Sequence, residues 1–337
     1  MHNKICSTTL ITLLFLAGCI PTKPIMVQTP AVIQPTIAAT LTSTPTPTPE
    51  AAAPHELPTA SRVLPSLDLQ AQSAVLLDGT TGEILYAKNA HQQMYPASTT
   101  KIMTAILALE YFKLDEVIRV GDEANLTWTA ERMDAQKAGL IYGQELTMKE
   151  LLYGLLLDSG SDAAFTIAVN VARRESSESL MTNDQAITNF AALMNKQSQA
   201  IGAVETNFIN PDGFQDPNHY STAYDLALIA GYGMQNAQFR EIVATTTYSM
   251  AQVVTPAGGK FSRTWENTNR LIQPQDEQYY APANGIKTGT TPEAGHCLIS
   301  SAMVGGNLVI AVVLNSTPEG VWSDSVTLLE YANDNSQ

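Results

Sequence analysis

The order in which residue periods change along this chain constrains its fold more than any single motif does. Residues 73–89, SAVLLDGTTGEILYAKN, read as two short strands around a turn at Asp78-Gly79. The pattern then becomes helical: STTKIMTAILALEYF (98–112), the pair TMKELLYGLLLDSGSDAAFTIAVNVARR (147–174) broken at Asp158–Ser161, NDQAITNFAALMNKQSQAIG (183–202) stopping at Gly202, and STAYDLALIAGYGM (221–234). After about Thr245 the period shortens to strands again, through 245–253, 263–269, 283–290, 296–304 and 307–316, before a last helix at 323–333. Strands therefore lie at both ends, with a helical block between them. Strand-rich ends imply one sheet assembled from both, with the middle inserted as a helical lobe and a crevice between the two.

At 337 residues, 45% hydrophobic and 15% charged, the chain has the material for a folded core. A formal net charge of −14 removes the basic footprint that nucleic acid or an anionic lipid surface requires. Three cysteines are too few for a disulfide framework.

The N-terminus carries an export signal. Lys4 precedes an apolar run from about Leu10 to Leu16, which ends in Leu16-Ala17-Gly18-Cys19. The run is too short to span a bilayer comfortably. Its end resembles the bacterial lipoprotein box, in which the cysteine is lipidated and becomes the new N-terminus. That resemblance implies a signal peptide over 1–18 and a lipid on Cys19. Such processing leaves Cys297 as the remaining thiol. Proline, threonine and alanine then dominate as far as Ala60, so residues 19–62 are expected to be a solvated tether ahead of a folded domain at 63–337.

Three short motifs carry chemistry. Ser98 stands three residues before Lys101 where an apolar helix begins, so both side chains share one helix face. A serine there is ordinarily a cap. A lysine buried at a helix N-terminus is also disfavoured as a cation, by desolvation and by the dipole, and in its neutral form it can take a serine proton. The helix start offers backbone N–H groups to an oxyanion. Ser159 falls in the break between two apolar helices. Lys287-Thr288-Gly289 lies along a strand, where Lys287 and Gly289 face one way and the glycine leaves room for a substrate backbone. Each motif is common alone. In this order, on a helix, a helix break and a strand, they form a specific set.

With YPASTTKIMTAILALE, LLLDSGSDAA, NFINPDGFQDPNHYSTAYDLALIA, TWENTNRLI and NGIKTGTTPEAGHCLISSA, the stretch from Leu67 to Tyr331 resembles the low-molecular-mass penicillin-binding proteins of peptidase family S11, serine-type D-alanyl-D-alanine carboxypeptidases. The resemblance implies an α+β fold of the β-lactamase/transpeptidase kind, an antiparallel sheet flanked by helices with an inserted all-helical lobe. It implies Ser98 as nucleophile, Lys101 as general base and Ser159 as proton relay. Ser161, Lys287, Thr288, Gly289 and Thr290 would bind substrate, and the backbone N–H groups of Ser98 and Thr290 would hold the oxyanion. The substrate would be a peptidoglycan stem peptide ending in D-Ala-D-Ala, with β-lactam antibiotics as covalent inhibitors, outside the cytoplasmic membrane and anchored by the N-terminal lipid. No metal or organic cofactor is implied, and no His-Glu-x-x-His or Cys-x-x-Cys cluster is present to hold one. Many members of the family it resembles carry a C-terminal β-rich domain and an anchor helix; neither is expected after the last strand of this sequence, and the N-terminal lipid and tether are expected to take over the anchoring.

The chain departs from the family pattern twice. Ser161 stands where asparagine is usual and offers one shorter donor. Asp212 stands where a histidine is frequent, and is expected only to make a turn. His219 is expected to be a hydrogen-bonding residue at a helix entry, Cys297 a buried small hydrophobe, and Trp128 and Trp265 core residues. Asn267, Asn269 and Arg270 are expected to support the site from a neighbouring strand. A D,D-endopeptidase would use the same machinery. A serine β-lactamase would need a well-placed base for deacylation, and the chain shows no acidic loop of that kind. A non-catalytic wall-binding lipoprotein would need no reactive serine at all.

Overall fold

The computed structural model describes residues 66–178, 180–251, 253–254 and 258–334. The signal segment, Cys19 and the 19–62 tether lie outside the described residues.

The elements follow in order as β1 (Ser73–Asp78), β2 (Ile84–Lys88), α1 (Lys101–Tyr111), β3 (Val117–Arg119), β4 (Glu145–Thr147), α2 (Met148–Leu156), α3 (Ser161–Ser176), α4 (Asn183–Ile201), α5 (Ala223–Gln235) and α6 (Ala237–Val243). They continue as β5 (Thr247–Ser249), β6 (Val253–Val254), β7 (Lys260–Phe261), β8 (Thr264–Glu266), β9 (Ala283–Thr291), β10 (Gly295–Val304), β11 (Asn307–Ser316) and α7 (Gly320–Asp334). The main sheet is antiparallel, in the order β2-β1-β11-β10-β9. β1 pairs with β11 from Ser73 opposite Leu314 to Asp78 opposite Val309, so the two ends of the domain close one sheet.

Alternation decides which face each strand residue takes. Val75, Leu77, Ile310, Val312 and Ile299 join a core shared with α1–α6. Ala74, Leu76, Ala311, Val313 and Leu298 point the other way, onto Val321, Trp322, Leu328 and Leu329 of α7. Both faces are covered, which is why β11 reads as a nearly unbroken apolar run.

α1 runs through the middle of the larger core. Every residue from Lys101 to Ala108 is buried, as befits a helix apolar on all sides. The helices around it start on sequence-encoded caps. Thr147 with Glu150 and Thr182 with Gln185 form capping boxes on α2 and α4, and Thr222 caps α5. α3 starts without a side-chain cap on Gly160. Instead the buried carboxylate of Asp162 accepts the N–H of Ala163 and, from outside the helix, those of Ala138, Gly139 and Leu140 at 2.7–2.9 Å. An anion among helix-start N–H groups is favourable, and here it also ties an outside loop to the helix. Trp265 fastens the same loop, donating from Nε1 to the Ala138 carbonyl at 2.9 Å, with Tyr248 and then Tyr153 stacked beyond it.

Candidate active site

Ser98 lies in the 3₁₀ turn Ala97–Thr100 that leads into α1. Ala97 ahead of it has φ +47°, a left-handed conformation that a residue with a Cβ adopts only under strong local constraint. Two neighbours impose it. Gly213, at φ +80°, packs so tightly that a Cβ there would overlap the Ala97 carbonyl. On the other side β9, the sheet's edge strand, passes so close that a Cβ on Gly289 would stand 3.0 Å from the Ser98 backbone nitrogen. The Ser98 N–H and the Gly289-Thr290 backbone therefore share one small space.

Lys101 Nζ donates to Ser98 Oγ at 2.9 Å and to the Asp212 carbonyl at 2.7 Å. The side chain is buried. Burial lowers its pKa to about 8; Asp212 and Asp162 oppose that shift, and Arg132 adds to it. Near neutral pH a useful fraction of Lys101 is thus an amine within proton-transfer reach of the serine.

Ser159 is buried, with φ +58°, in the break between α2 and α3. Ser161 opens α3, its N–H bonded to the Gln136 carbonyl at 2.8 Å, and its hydroxyl helps to hold the pKa of the Asp212 carboxyl down. Asp158, half-buried before them, has its carboxyl pushed up to about 6, chiefly by burial and then by Asp162.

Lys287 on β9 is also buried, and burial followed by the nearby charge of Lys101 holds its pKa well below the lysine norm, while Asp158 draws it back up. Among the described residues its nitrogen reaches the Thr288 carbonyl at 3.1 Å and, loosely, the Thr288 hydroxyl at 3.4 Å. Among the described residues no carboxylate pairs with it. The Thr288 hydroxyl is bonded to that of Thr268 at 2.6 Å, and Thr290 is exposed.

Asp212 makes more than a turn. Its carboxylate is enclosed, 2% exposed, and accepts from Arg132 Nη1 at 2.9 Å. Lys101 and Arg132 hold it below the usual carboxylate range against the opposing cost of burial. Arg132 had no signal in the sequence. It sits in a three-residue 3₁₀ turn, and its partner lies 80 residues away. Asp212 did carry a signal, because a carboxylate buried where a histidine is usual requires a counter-charge.

His219 is a hydrogen-bonding residue in the structure. The Ile209 N–H donates to Nδ1 at 3.1 Å, which leaves the proton on Nε2 to donate to Thr100 Oγ1 at 2.8 Å. Cys297 is buried on β10, its thiol pushed up to about 11 by burial. Trp265 is core, but Trp128 is not. It is 59% exposed at the end of the 122–127 3₁₀ turn, with Lys137 Nζ 4.7 Å above its ring. Asn267 braces the β8 end, donating to the Val243 and Thr245 carbonyls, and accepts the Asn269 N–H. Arg270 does not support the site. Its guanidinium is drawn away by the paired anions Asp276 and Glu277 and lies over Trp322.

A five-stranded antiparallel sheet with a helical insertion, and a serine and lysine at the foot of its central helix, defines the penicillin-binding/β-lactamase-like fold. Solved structures agree. The Streptomyces K15 DD-transpeptidase superposes with a TM-score of 0.72 at 34% identity, covering 80% of this chain and 98% of that one. Penicillin-binding protein 6B from Escherichia coli gives 0.66 at 28% identity, covering 80% of each chain. The family model described as D-alanyl-D-alanine carboxypeptidase matches residues 59–318, and the chain belongs to that family. Curated relatives include the D-alanyl-D-alanine carboxypeptidase DacF of Bacillus subtilis, 34% identical over 265 residues, and the D-alanyl-D-alanine carboxypeptidase of Streptomyces strain K15, 35% identical over 259. These alignments cover 78% and 76% of this chain, but 62% of the Bacillus protein and 84% of the Streptomyces one.

Proposed function

We propose that this chain is a serine D-alanyl-D-alanine carboxypeptidase that removes the terminal D-alanine of peptidoglycan stem peptides. The observation that carries the reading is the buried Lys101 amine, 2.9 Å from Ser98 Oγ and depressed to a pKa of about 8. Family membership and the curated relatives' names support the substrate.

Ser98 Oγ attacks the carbonyl carbon of the penultimate D-alanine while its proton passes to Lys101. The oxygen becomes an oxyanion facing the backbone N–H groups of Ser98 and Thr290, which neutral donors stabilise best in a site closed to water. The intermediate collapses, the C–N bond breaks, and the proton returns through Ser159 to the departing amine of D-alanine. Water, deprotonated by the same lysine, then cleaves the ester and restores Ser98. Lys287, buried without a carboxylate, is suited to the substrate's terminal carboxylate, with Thr288 and Thr290 beside it. Gly289 leaves room for the peptide along the edge of β9. Handing the acyl group to an amine in place of water would be transpeptidation, the activity for which the Streptomyces K15 enzyme is named.

The reaction belongs outside the cytoplasmic membrane. No helix among the described residues is long and apolar enough to cross one. We place the anchor on a lipidated Cys19.

The test is to incubate the full chain and Ser98→Ala with a fluorescent penicillin, followed by intact mass, and to assay D-alanine release from a stem pentapeptide. The expected result is a stable adduct and free D-alanine with the wild type alone. No adduct with antibiotic intact would favour a wall-binding lipoprotein, and antibiotic consumed without an adduct would favour a β-lactamase.

A further inference from the structure

The two departures from the family pattern, Ser161 and Asp212, meet in one place, and a third residue joins them. The enclosed Asp212 carboxylate accepts Arg132 Nη1 at 2.9 Å and has its pKa held down in part by the Ser161 hydroxyl, while the carbonyl of the same residue accepts Lys101 Nζ. The guanidinium of Arg132 is clamped between the rings of Phe165 and Phe214, at 5.1 and 4.1 Å. The loop that carries it is lashed down at several points. Lys137 Nζ reaches the Ala135 carbonyl at 2.8 Å and the Arg132 carbonyl at 3.2 Å, Ser161 N–H holds Gln136, and the Asp162 carboxylate holds residues 138–140. An arginine this thoroughly fixed is placed, not merely tolerated.

We propose that Arg132 and Asp212 form a positioning pair for Ser98 acylation, in which Asp212 takes the single hydrogen of Ser161 and fixes its rotamer, and Arg132 neutralises Asp212 so that its charge does not hold a proton on Lys101. The proposal rests on the function proposed above. Its chemistry follows from the donor inventory. Asparagine could donate and accept at once, whereas a hydroxyl whose one hydrogen is committed to a carboxylate meets Lys101 or substrate only as an acceptor. That commitment brings a full negative charge next to the base. A carboxylate within about 4–6 Å raises a lysine pKa by about 1–3 units unless another charge answers it. The charged groups that bear on Lys101 are Asp212 from the 210–214 turn, Arg132 from the covering loop, Asp162 from α3, Lys287 from β9 and His219 behind Thr100, with Asp158 acting on Lys287. Of these, Asp212 and Arg132 bear on it most strongly and in opposite senses.

The test is the rate of acylation of the full chain by a fluorescent penicillin across pH 5.5–10, with the thermal midpoint of each variant measured beside it. The wild-type rate should rise through pH about 8 as Lys101 loses its proton. Arg132→Met should move that limb up by about one unit, slowing acylation at pH 7 about tenfold. Asp212→Asn keeps an acceptor for Ser161 and should move the limb down by about one unit, with a smaller loss of plateau than Asp212→Ala. Asp212→Ala should move it down and lower the plateau as well. The double variant Arg132→Met with Asp212→Asn should return the limb to the wild-type position, and Arg132→Lys should leave it there. Should Arg132→Met fail to fold, the near-isosteric Asp212→Asn carries the test alone. Limbs that stay put, or both single variants shifting in the same direction, would overturn the pair. A wild type that takes no label would instead overturn the function on which it rests.

Discussion

Two lysines are buried equally in this site, and their surroundings suit them to different work. Lys101, at the foot of α1, has two oxygen partners, and burial lowers its pKa to about 8 against Asp212 and Asp162 and with Arg132. Lys287, on the sheet edge, bonds among the described residues to its neighbour Thr288, and burial and the charge of Lys101 hold its pKa well below the lysine norm while Asp158 draws it back up. A lysine with a pKa near 8 can lose and regain a proton near neutral pH, which suits a base. One buried with no carboxylate in ion-pair contact gains most from an anion that arrives, which suits a carboxylate receptor. Burial is common to both. The difference lies in what each sequence neighbourhood places against the nitrogen.

The comparison breaks most visibly at the base. Lys101→Met should slow acylation about 10³-fold at every pH, within the range that general bases supply, while leaving noncovalent binding of a D-Ala-D-Ala peptide near wild type; stopped-flow labelling and equilibrium binding separate the two. Equal losses in both would mean that Lys101 is structural.

The next effect falls on stability, behind Lys101. His219, buried against Thr100, has a folded pKa of about 4, below its unfolded value of about 6.5, chiefly through desolvation. The unfolded chain therefore takes up the proton first. The stabilisation is complete above pH 6.5 and is lost as pH falls toward 4, amounting to about 3 kcal/mol. Urea midpoints at pH 7 and 4.5 should show that loss, and His219→Gln should flatten the slope. The depressed Asp212 carboxyl acts in the same direction at lower pH.

Lys287→Gln should be milder. A charge-assisted hydrogen bond contributes about 1.5–3 kcal/mol, so kcat/KM on a stem peptide should fall about tenfold to a hundredfold. The same substrate with its terminal carboxylate amidated should lose nothing further. If the amide still discriminated wild type from variant, Lys287 would not be the receptor.

The sheet and the inserted helices could be read ahead because their signals are local. Val309 to Leu314 alternates onto two cores, Gly202 ends α4 at φ +95°, and Thr147 and Glu150 sit three apart on the start of α2. Ser98 and Lys101 were legible for the same reason, since helical spacing alone puts them on one face. The stretch from Lys113 to Thr147 was not. Its strands and 3₁₀ turns are three to six residues long, too short to show a period, and Arg132 is held there by partners from α3 and the 210–214 turn. Trp128 and Arg270 misled in a related way, because an aromatic ring or a guanidinium indicates what it could satisfy and not which neighbour will reach it. Ser161 and Asp212 each looked like an isolated oddity, and the fold brings them together with Arg132.

Lys101 hangs partly from a peptide carbonyl, and that has a consequence for how such a site can drift. The oxygen belongs to residue 212 whatever its side chain, and the glycine after it keeps the turn in place. Substitution at 212 can therefore proceed without unhooking the base, which leaves the position open to variation while the lysine stays anchored. Alanine at 212 would remove the carboxylate and leave the carbonyl, so scanning could not report that anchor. Only replacing the Asp212-Gly213 amide by an ester, which weakens the oxygen as an acceptor, would expose a part of the machinery that no codon change removes.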